Sequence, residues 1–481
     1  MARDTLHLSK VNDVYIRVQS EPSVAQELAD HFSFMSPNAR FDPRVKNKYW
    51  DGKIRLYNPL TGLIYYGLID KIVEFAQQHD YEIVTDGTVK KCKDDVTDFL
   101  ASFESTKEPR EYQIEAFKYA VRYNRGIFLS PTSSGKSLMI YMLSCYYQQE
   151  RKLIIVPTVQ LVFQLKSDFE EYAGKGLSIH CITAGVDKET TEDIVISTWQ
   201  SIYKMPKKWF AQFGVVIGDE VHRFEAKSLK AIMEKLLDTK YRFGYTGTLT
   251  GTLTNEMTLE GLFGKIRTVT TITELQEQNY VAKLKIKALI LKHDVQSCKD
   301  AAKFNYQDEV KFINNHRKRN NFIAKLAVEC DKNTLVLFRN IDHGKLLYDK
   351  IKSYSLFGRD VYLIYGGVDG EDREEIRRVL EFKSNAILVA SYGTFSTGVN
   401  VPNLHYVMLG APSKSRVTVL QSIGRGLRLH DEKDFLTVYD IADDLRLKTK
   451  ANYTLQHFSE RYTIYNEQGF NCRLYNINLT D

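Results

Sequence analysis

Along most of this chain, short runs that are apolar at nearly every position alternate with longer stretches of helical character. The runs are Ile127–Leu129, Leu153–Val156, Ile194–Ile196, Val215–Ile217 and Arg242–Tyr245. They resume as Thr334–Phe338, Val361–Ile364, Ala386–Ala390, Tyr406–Leu409 and Leu436–Tyr439. Such runs, with helices between them, predict buried strands of parallel sheet covered on both faces. Ten strands are too many for one compact unit, so the boundary is placed in Ile266–Lys292, between the two sets. Each set then forms its own doubly wound sheet, with its chemistry in loops beyond the carboxyl ends of the strands. The first ~105 residues differ, with an amphipathic piece at Val14–Val18 and a helix from Ser23 to about Phe32. The pattern predicts an α/β chain: a small α+β domain over 1–105, then two tandem parallel-sheet domains over 106–272 and 273–481.

Composition changes this picture little. The chain is 43% apolar and 26% charged, which leaves ample core. No apolar run approaches the ~20 residues that cross a bilayer, and Met1–Lys10 lacks the layout of a signal peptide. A cytoplasmic protein with no membrane partner is the expectation. Cys92, Cys145, Cys181, Cys298, Cys330 and Cys472 are too widely spaced for a zinc or iron–sulfur motif and read as buried thiols. The net charge of +6 permits a polyanion partner without demanding one.

The candidate chemistry begins where the run Ile127–Leu129 enters Ser130-Pro131-Thr132-Ser133-Ser134-Gly135-Lys136-Ser137, followed by an apolar helix. Strand, small-residue loop and helix start are the context of a phosphate-binding loop. Backbone N–H groups of Ser133, Ser134 and Gly135 would cradle phosphates. Lys136 would reach the β and γ phosphates of ATP, and the Ser137 hydroxyl would bind Mg²⁺. Ser130 stands where the general pattern has its first glycine, and a serine-rich turn capping a helix is the plainer alternative. Downstream, Val215–Ile217 leads through Gly218 into Asp219-Glu220-Val221-His222. Adjacent carboxylates at a strand end suit ATP hydrolysis, Asp219 holding Mg²⁺ and Glu220 orienting and deprotonating the attacking water.

With these motifs the chain resembles a superfamily 2 helicase of the DExH type, over most of residues 106–445. Arg110-Glu111-Tyr112-Gln113 resembles the glutamine motif, which implies that Gln113 reads the adenine edge. Pro157-Thr158 with Gln164, and Ser197-Thr198-Trp199-Gln200, resemble strand-contacting motifs. Thr246-Gly247-Thr248 resembles the motif that links nucleotide state to the gripped strand, a coupling role that extends to His222 and Gln421. Ser391–Asn400 resembles a further motif, with Gly398 and Asn400 near the nucleoside and Thr394, like Arg339, near the nucleic acid. Gln421-Ser422-Ile423-Gly424-Arg425-Gly426-Leu427-Arg428 matches the motif whose Arg425 and Arg428 engage the γ-phosphate. The resemblance therefore implies two RecA-like domains with ATP in the cleft between them.

Within that superfamily the likeness is to the phage UvsW-type helicases, and it reaches into the first domain through Arg40-Phe41-Asp42-Pro43-Arg44 and Trp50-Asp51-Gly52-Lys53-Ile54-Arg55-Leu56. It implies an ATP- and Mg²⁺-dependent DNA helicase acting on branched DNA (forks and Holliday junctions) through single-strand and duplex contacts. If the chain is phage-encoded, the host cytoplasm is its expected place; a monomer is the expectation for its assembly, which the sequence itself does not give. An RNA helicase, another superfamily 2 translocase, or a non-translocating ATP-gated clamp are the alternatives. The intact set Glu220, Arg425 and Arg428 argues against the clamp.

The segment Arg40–Tyr57 sets Arg40, Arg44, Lys46, Lys48, Lys53 and Arg55 against Asp42 and Asp51, with Phe41, Tyr49, Trp50 and Tyr57 interleaved. Phosphate contacts plus stacking are one reading, with Arg44, Lys46, Lys48, Trp50, Lys53 and Arg55 as the contact set. A β-hairpin turning at Asp51-Gly52, with aromatics in the core and lysines in water, is the other. The run His316-Arg317-Lys318-Arg319 reads as the polar start of a helix or as a backbone-tracking surface. The tail aromatics Tyr453, Phe458, Tyr462, Tyr465, Phe470 and Tyr475 read as packing.

Overall fold

The structure, a computed structural model, describes residues 4–36, 39–87, 95–174, 177–223, 227–249, 252–355, 358–368, 375–376, 378–380, 382–397, 403–413, 415–428 and 433–479. Its contacts divide the chain into two units, Met1–Ser130 with Gly135–Val269, and Pro131–Ser134 with Thr270–Asp481.

The first unit carries a seven-stranded parallel sheet. Its order is Ile179–Ile182, Ile194–Thr198, Lys152–Val156, Val215–Asp219, Tyr241–Thr246, Arg125–Leu129 and Ile266–Thr268. All five apolar runs of this half are strands. The two outermost strands are not apolar runs, because an edge strand is covered less completely and tolerates His180 or Arg267.

The amino-terminal region builds its own five-stranded sheet, ordered Tyr57–Asn58, Leu63–Tyr65, Tyr15–Gln19, Thr5–Lys10 and Glu82–Thr85. Ile16 and Val18 face inward while Arg17 faces out, the alternation of a half-buried strand. Helices Pro22–His31 and Ile69–Gln78 cover it. Its apolar core does not stop at the sheet: one cluster runs from Leu6, Phe32 and Phe75 through to Ile127, Leu229 and Phe263. Polar ties reinforce the join. The Asp13 N–H donates to the Leu237 carbonyl at 2.9 Å, Tyr65 donates to Glu234 at 2.5 Å, and the Arg125 guanidinium lies 3.9 Å from the Tyr66 ring centre. Gly67 lets the backbones touch, since a Cβ there would lie 2.0 Å from the Glu260 carbonyl oxygen. Gly67→Ala is therefore expected to destabilise the chain by about 1–3 kcal/mol through overpacking. Thermal unfolding checks this, and an unchanged melting temperature would speak against a close-packed join.

The second unit holds another seven-stranded parallel sheet, ordered Val361–Ile364, Ile387–Ser391, Thr334–Phe338, Tyr406–Leu409, Phe435–Asp444, Lys283–Lys292 and Cys472–Asn478. Here the structure corrects the reading of Ile266–Lys292 as lying between the strand sets. Ile266–Thr268 completes the first sheet and Lys283–Lys292 is a ten-residue strand of the second. Lysines at 283, 285 and 287 alternate with buried Leu284, Ile286 and Ala288. Two of these lysines lie over strand neighbours' rings, Lys285 3.6 Å from the Phe435 centroid and Lys287 5.4 Å from that of Tyr439.

The tail forms helix Tyr453–Glu467 and strand Cys472–Asn478. Phe458, Tyr465 and Phe470 are buried as expected of packing residues, while Tyr453 and Tyr475 stay exposed. Of the basic run, Arg317 opens helix Arg317–Glu329, but Arg319 is fully buried. Its Nε donates to both Asp443 oxygens at 2.9 Å and its Nη2 to the Gly410 carbonyl at 2.9 Å. Arg461 makes a second buried pair with Asp440, at 2.7 Å. Neither surface reading fits Arg319, because sequence alone does not reveal the carboxylate 124 residues away.

Candidate functional site

In the first unit the strand order gathers the expected chemistry at one end of the sheet. Strand Arg125–Leu129 ends in Ser130, whose N–H donates to the Thr246 carbonyl at 2.8 Å, so the phosphate-loop candidate starts beside the end of Tyr241–Thr246. Next across the sheet comes Val215–Asp219, then Lys152–Val156 followed by Thr158, then Ile194–Thr198. Gln113, Lys136, Ser137, Asp219, Glu220, His222, Thr246 and Thr248 thus belong to one half of this edge. Thr158 and Thr198 close the other.

The loop backbone is bent where the sequence lacks a glycine: Ser133 has φ +72° and Gly135 φ +77°. A serine in the left-handed region is strained, and such strain concentrates at sites of function. Gly135 caps helix Lys136–Tyr146 and has no room for a Cβ, which would lie 2.4 Å from the Gln113 amide nitrogen. Gln113 is 2% exposed. Its Oε1 accepts from the Arg110 N–H at 2.8 Å and its Nε2 donates to the Gly135 carbonyl at 3.3 Å, tying it to the loop itself. Lys136 Nζ donates to the Ser130 carbonyl at 3.3 Å, and the Ser137 hydroxyl lies 2.7 Å from that of Tyr172. Ser134 is buried, its hydroxyl donating to the Pro131 carbonyl at 2.6 Å.

Glu220 also has a left-handed backbone, φ +51°, and its N–H donates to Asp219 Oδ1 at 2.9 Å. Burial, and then the neighbouring Glu220 charge, push the Asp219 carboxyl up to about 6. Burial pushes Glu220 the same way, but the His222 hydrogen bond and the Lys136 charge outweigh it and hold that carboxyl low, at about 2. Asp219 is therefore the acid of the pair held above its ordinary value and Glu220 the one held below it, the division expected of two carboxylates sharing a half-buried site. His222 Nδ1 lies 3.3 Å from Glu220 Oε2 and 2.9 Å from the Thr246 hydroxyl, which donates to the Thr248 carbonyl at 2.9 Å. A continuous polar chain thus joins Glu220 to the Thr246–Thr248 segment.

Asp219 and the Ser137 hydroxyl are hard oxygen donors, the type Mg²⁺ prefers, and a cation would relieve the repulsion that raises Asp219. They fit such an ion. Among the described residues there is no cluster of three or more His, Cys, Asp or Glu side chains able to hold a metal by themselves. Waters and phosphate oxygens would complete such coordination.

In the second unit, helix Arg416–Gly426 follows strand Tyr406–Leu409. Gln421 and Arg425, four residues apart, share a helix face, and Gln421 is buried while Arg425 and Arg428 are half-buried. Gly426 lets the helix close on the sheet, since a Cβ would lie 2.8 Å from Leu436. Lys433, which no motif flags, is 3% exposed and donates to the Gly426 and Arg428 carbonyls, fixing the backbone that carries both arginines. Its burial pulls the ammonium down to about 7. Arg339 is exposed just past strand Thr334–Phe338, beside strand Ile387–Ser391. Thr394 follows that neighbouring strand, its hydroxyl accepting from Ser391 at 2.8 Å. Gly398 and Asn400 lie outside the described residues.

Of the expected strand contacts in the first unit, Thr158 caps helix Val159–Ala173, accepting from the Leu161 N–H. Gln164 is exposed beside Phe163, itself 54% exposed. Thr198 is buried with its hydroxyl 2.9 Å from Ser201, and Trp199 is half-buried.

The amino-terminal basic segment is not the hairpin considered above. Asp42 caps a short helix, Pro43–Lys46, and strand Lys53–Arg55 pairs instead with Ser33–Met35. Asp51 accepts from the Lys53 N–H at 3.0 Å, a local turn that competes with hairpin pairing. Arg44 pairs with Asp42 and lies 5.0 Å from the Trp50 ring centre, and Arg55 pairs with Asp51. Lys46, Lys48 and Lys53 are exposed, as are Phe41 and Tyr49, whereas Tyr57 is core.

Three stretches of the chain match known families. Residues 6–86 match the model of the DNA helicase UvsW N-terminal domain, 106–251 that of the type III restriction enzyme res subunit, and 318–430 that of the helicase conserved C-terminal domain. The ATP-dependent DNA helicase uvsW of Enterobacteria phage T4 is 35% identical over 97% of this chain and 98% of its own length. This chain belongs to the UvsW family of helicases. A crystal structure of T4 UvsW superposes with a TM-score of 0.52 at 33% identity, covering 99% of this chain and all of that one. More distant than these UvsW relatives is the DNA 3'-5' translocase XPB2 of Sulfurisphaera tokodaii, 26% identical over 68% of this chain and 80% of its own. The two seven-stranded sheets are the tandem RecA-like sheets of a superfamily 2 UvsW-type helicase. Among the described residues no helix is long and apolar enough to cross a membrane.

Proposed function

We propose that this chain is an ATP-driven DNA helicase and translocase that remodels branched DNA, moving junctions and regressing forks. The observation that carries the ATPase reading is the half-buried Asp219–Glu220 pair at a strand end, under the charge of Lys136. Paired acids in low dielectric are costly unless a reaction uses them. DNA as the track, and branched DNA in particular, rests on membership of the UvsW family across nearly the whole chain.

In this reading Lys136 and the N–H groups of the Ser133–Ser137 loop hold the phosphates of ATP, with Gln113 buttressing the loop and facing the adenine. Ionised Glu220 orients the attacking water and accepts its proton. Ser137 and Asp219 would hold Mg²⁺, which when bound neutralises charge on the phosphate oxygens. Arg425 and Arg428 supply guanidinium donors for the charge that develops on the transferred phosphoryl group. His222, Thr246 and Thr248 relay the state of Glu220 toward the edge of the sheet where Thr158, Gln164 and Trp199 meet the strand. Arg339 and Thr394 of the second unit contact the same strand. Arg44, Lys46, Lys48, Trp50, Lys53 and Arg55 add contacts to duplex arms.

ATPase rates with single-stranded DNA, forked DNA and RNA at one fixed salt concentration test the choice of track. Stimulation by both DNAs is expected. Stimulation by RNA alone would overturn the DNA reading. Lys136→Ala should lose both hydrolysis and junction movement, and full activity in that variant would contradict its phosphate role.

A further inference from the structure

The second unit contains a cavity of about 650 Å³ in which Arg339 alone has a role above. Helix Tyr306–Asn315 forms one wall. The other is the turn after strand Thr334–Phe338, together with Ala411 and Pro412 after strand Tyr406–Leu409. Its size falls in the range of about 300–1,000 Å³ typical of small-molecule sites. Tyr306, Gln307, Lys311, Asn314, Arg339 and Asp342 give it an aromatic face, two amides, two cations and one carboxylate.

Asn314 is the informative member. It is only 9% exposed, and its side-chain Oδ1 has no hydrogen-bond partner among the described residues. That oxygen is itself closed off from solvent, which makes the amide costly as it stands in a residue that lines the cavity. The walls are also built to stay in place. The Asn314 carbonyl accepts from Asn320 at 2.7 Å, and Asn320 is itself within 3.1 Å of His343. Glu309, on the same helix, accepts from the Thr454 N–H and hydroxyl at 2.7 Å each. Arg319 holds the Gly410 carbonyl beneath the Ala411–Pro412 turn.

We propose that this cavity receives one nucleotide of the bound strand, with its base turned out of the stack. Amides that both donate and accept complement a base edge, and an aromatic face suits its ring. Lys311 and Arg339 suit a flanking phosphate, while the single carboxylate, Asp342, offers an acceptor to a base amino group and disfavours a second phosphate. Pre-organised walls lower the cost of capturing one unstacked base. The inference rests on the nucleic-acid reading above and deepens it, placing Tyr306, Gln307 and Asn314 on the path of the strand.

The test is photocrosslinking of the full chain to a short single-stranded DNA carrying 5-iododeoxyuridine at successive positions. Free 5-iododeoxyuridine monophosphate at equal concentration forms the second arm. The expected crosslink maps to Tyr306 from one position of the strand and is absent from the free nucleotide. Asn314→Leu, close to isosteric and free of the orphaned acceptor, should cut the crosslink yield and weaken strand binding about tenfold. Strand binding at full affinity with no crosslink at Tyr306, or with Asn314→Leu indistinguishable from wild type, would overturn the cavity assignment alone. Equal crosslinking by the free nucleotide would overturn the strand as its source. Failure of the DNA to bind at all would overturn both this inference and the DNA reading.

Discussion

Glu220→Gln is expected to bind ATP with near-normal affinity while turnover falls by about 10²–10⁴-fold, the contribution of a positioned general base. Glu220 is the acid of the pair held low, because the His222 hydrogen bond and the Lys136 charge outweigh its desolvation. The amide keeps the shape and the contact near Thr246 but cannot accept a proton. Since ATP would remain uncleaved, the variant should also hold DNA in a long-lived, ATP-dependent complex. Nucleotide titration, steady-state ATPase rates and DNA dissociation kinetics read the three effects separately. Normal turnover would remove Glu220 from the chemistry.

Arg319→Leu is expected to cost about 3–5 kcal/mol, since it leaves Asp443 as an uncompensated buried charge. The double variant Arg319→Leu, Asp443→Leu should recover much of the loss, because breaking such a pair is worse than replacing it. Denaturant unfolding of the two variants makes the comparison, and equal loss in both would show that the pair acts mainly through volume. The same carboxylate sets a pH dependence. Burial pushes Asp443 up, but Arg319 and His293 hold it at about 2, below its ordinary 3.8. A carboxyl held low in the folded state contributes stability that is fully present above about pH 4 and is lost as pH falls toward 2. From that shift the contribution is roughly 2 kcal/mol at neutral pH. Asp443→Asn should therefore flatten the acid limb of the stability curve.

Much of the two sheets was readable because a central parallel strand must be apolar on both faces. Thr334–Phe338, Val361–Ile364 and Tyr406–Leu409 coincide with their apolar runs to the residue. Strands at or near sheet edges escaped, since Lys283–Lys292 is polar at alternate positions as far as Lys287 and Cys472–Asn478 is largely exposed. The nucleotide candidates were legible because their chemistry is local: strand, loop and helix start lie within a dozen residues of Lys136. What supports them was not. Lys433 reads as a loop lysine until the fold buries it beneath Gly426 and Arg428. Glu309 looks like a surface acid until it meets Thr454, 145 residues further on. The apolar core shared between the amino-terminal sheet and the first parallel sheet is equally long-range, joining Leu6 and Phe75 to Phe263. At Asp51-Gly52 the sequence offered a tight turn between two candidate strands. The chain instead uses Asp42 to start a helix and pairs Lys53–Arg55 with a strand some twenty residues upstream.

ATP-driven movement of a four-way DNA junction, followed beside unwinding of a simple overhanging duplex for the wild-type chain and Lys136→Ala, reaches furthest. The wild type should process the junction faster than the duplex, only with ATP, and Lys136→Ala should process neither. Junction movement that persists in Lys136→Ala, or a wild type that hydrolyses ATP on DNA yet leaves the junction where it was, would contradict a motor for branched DNA.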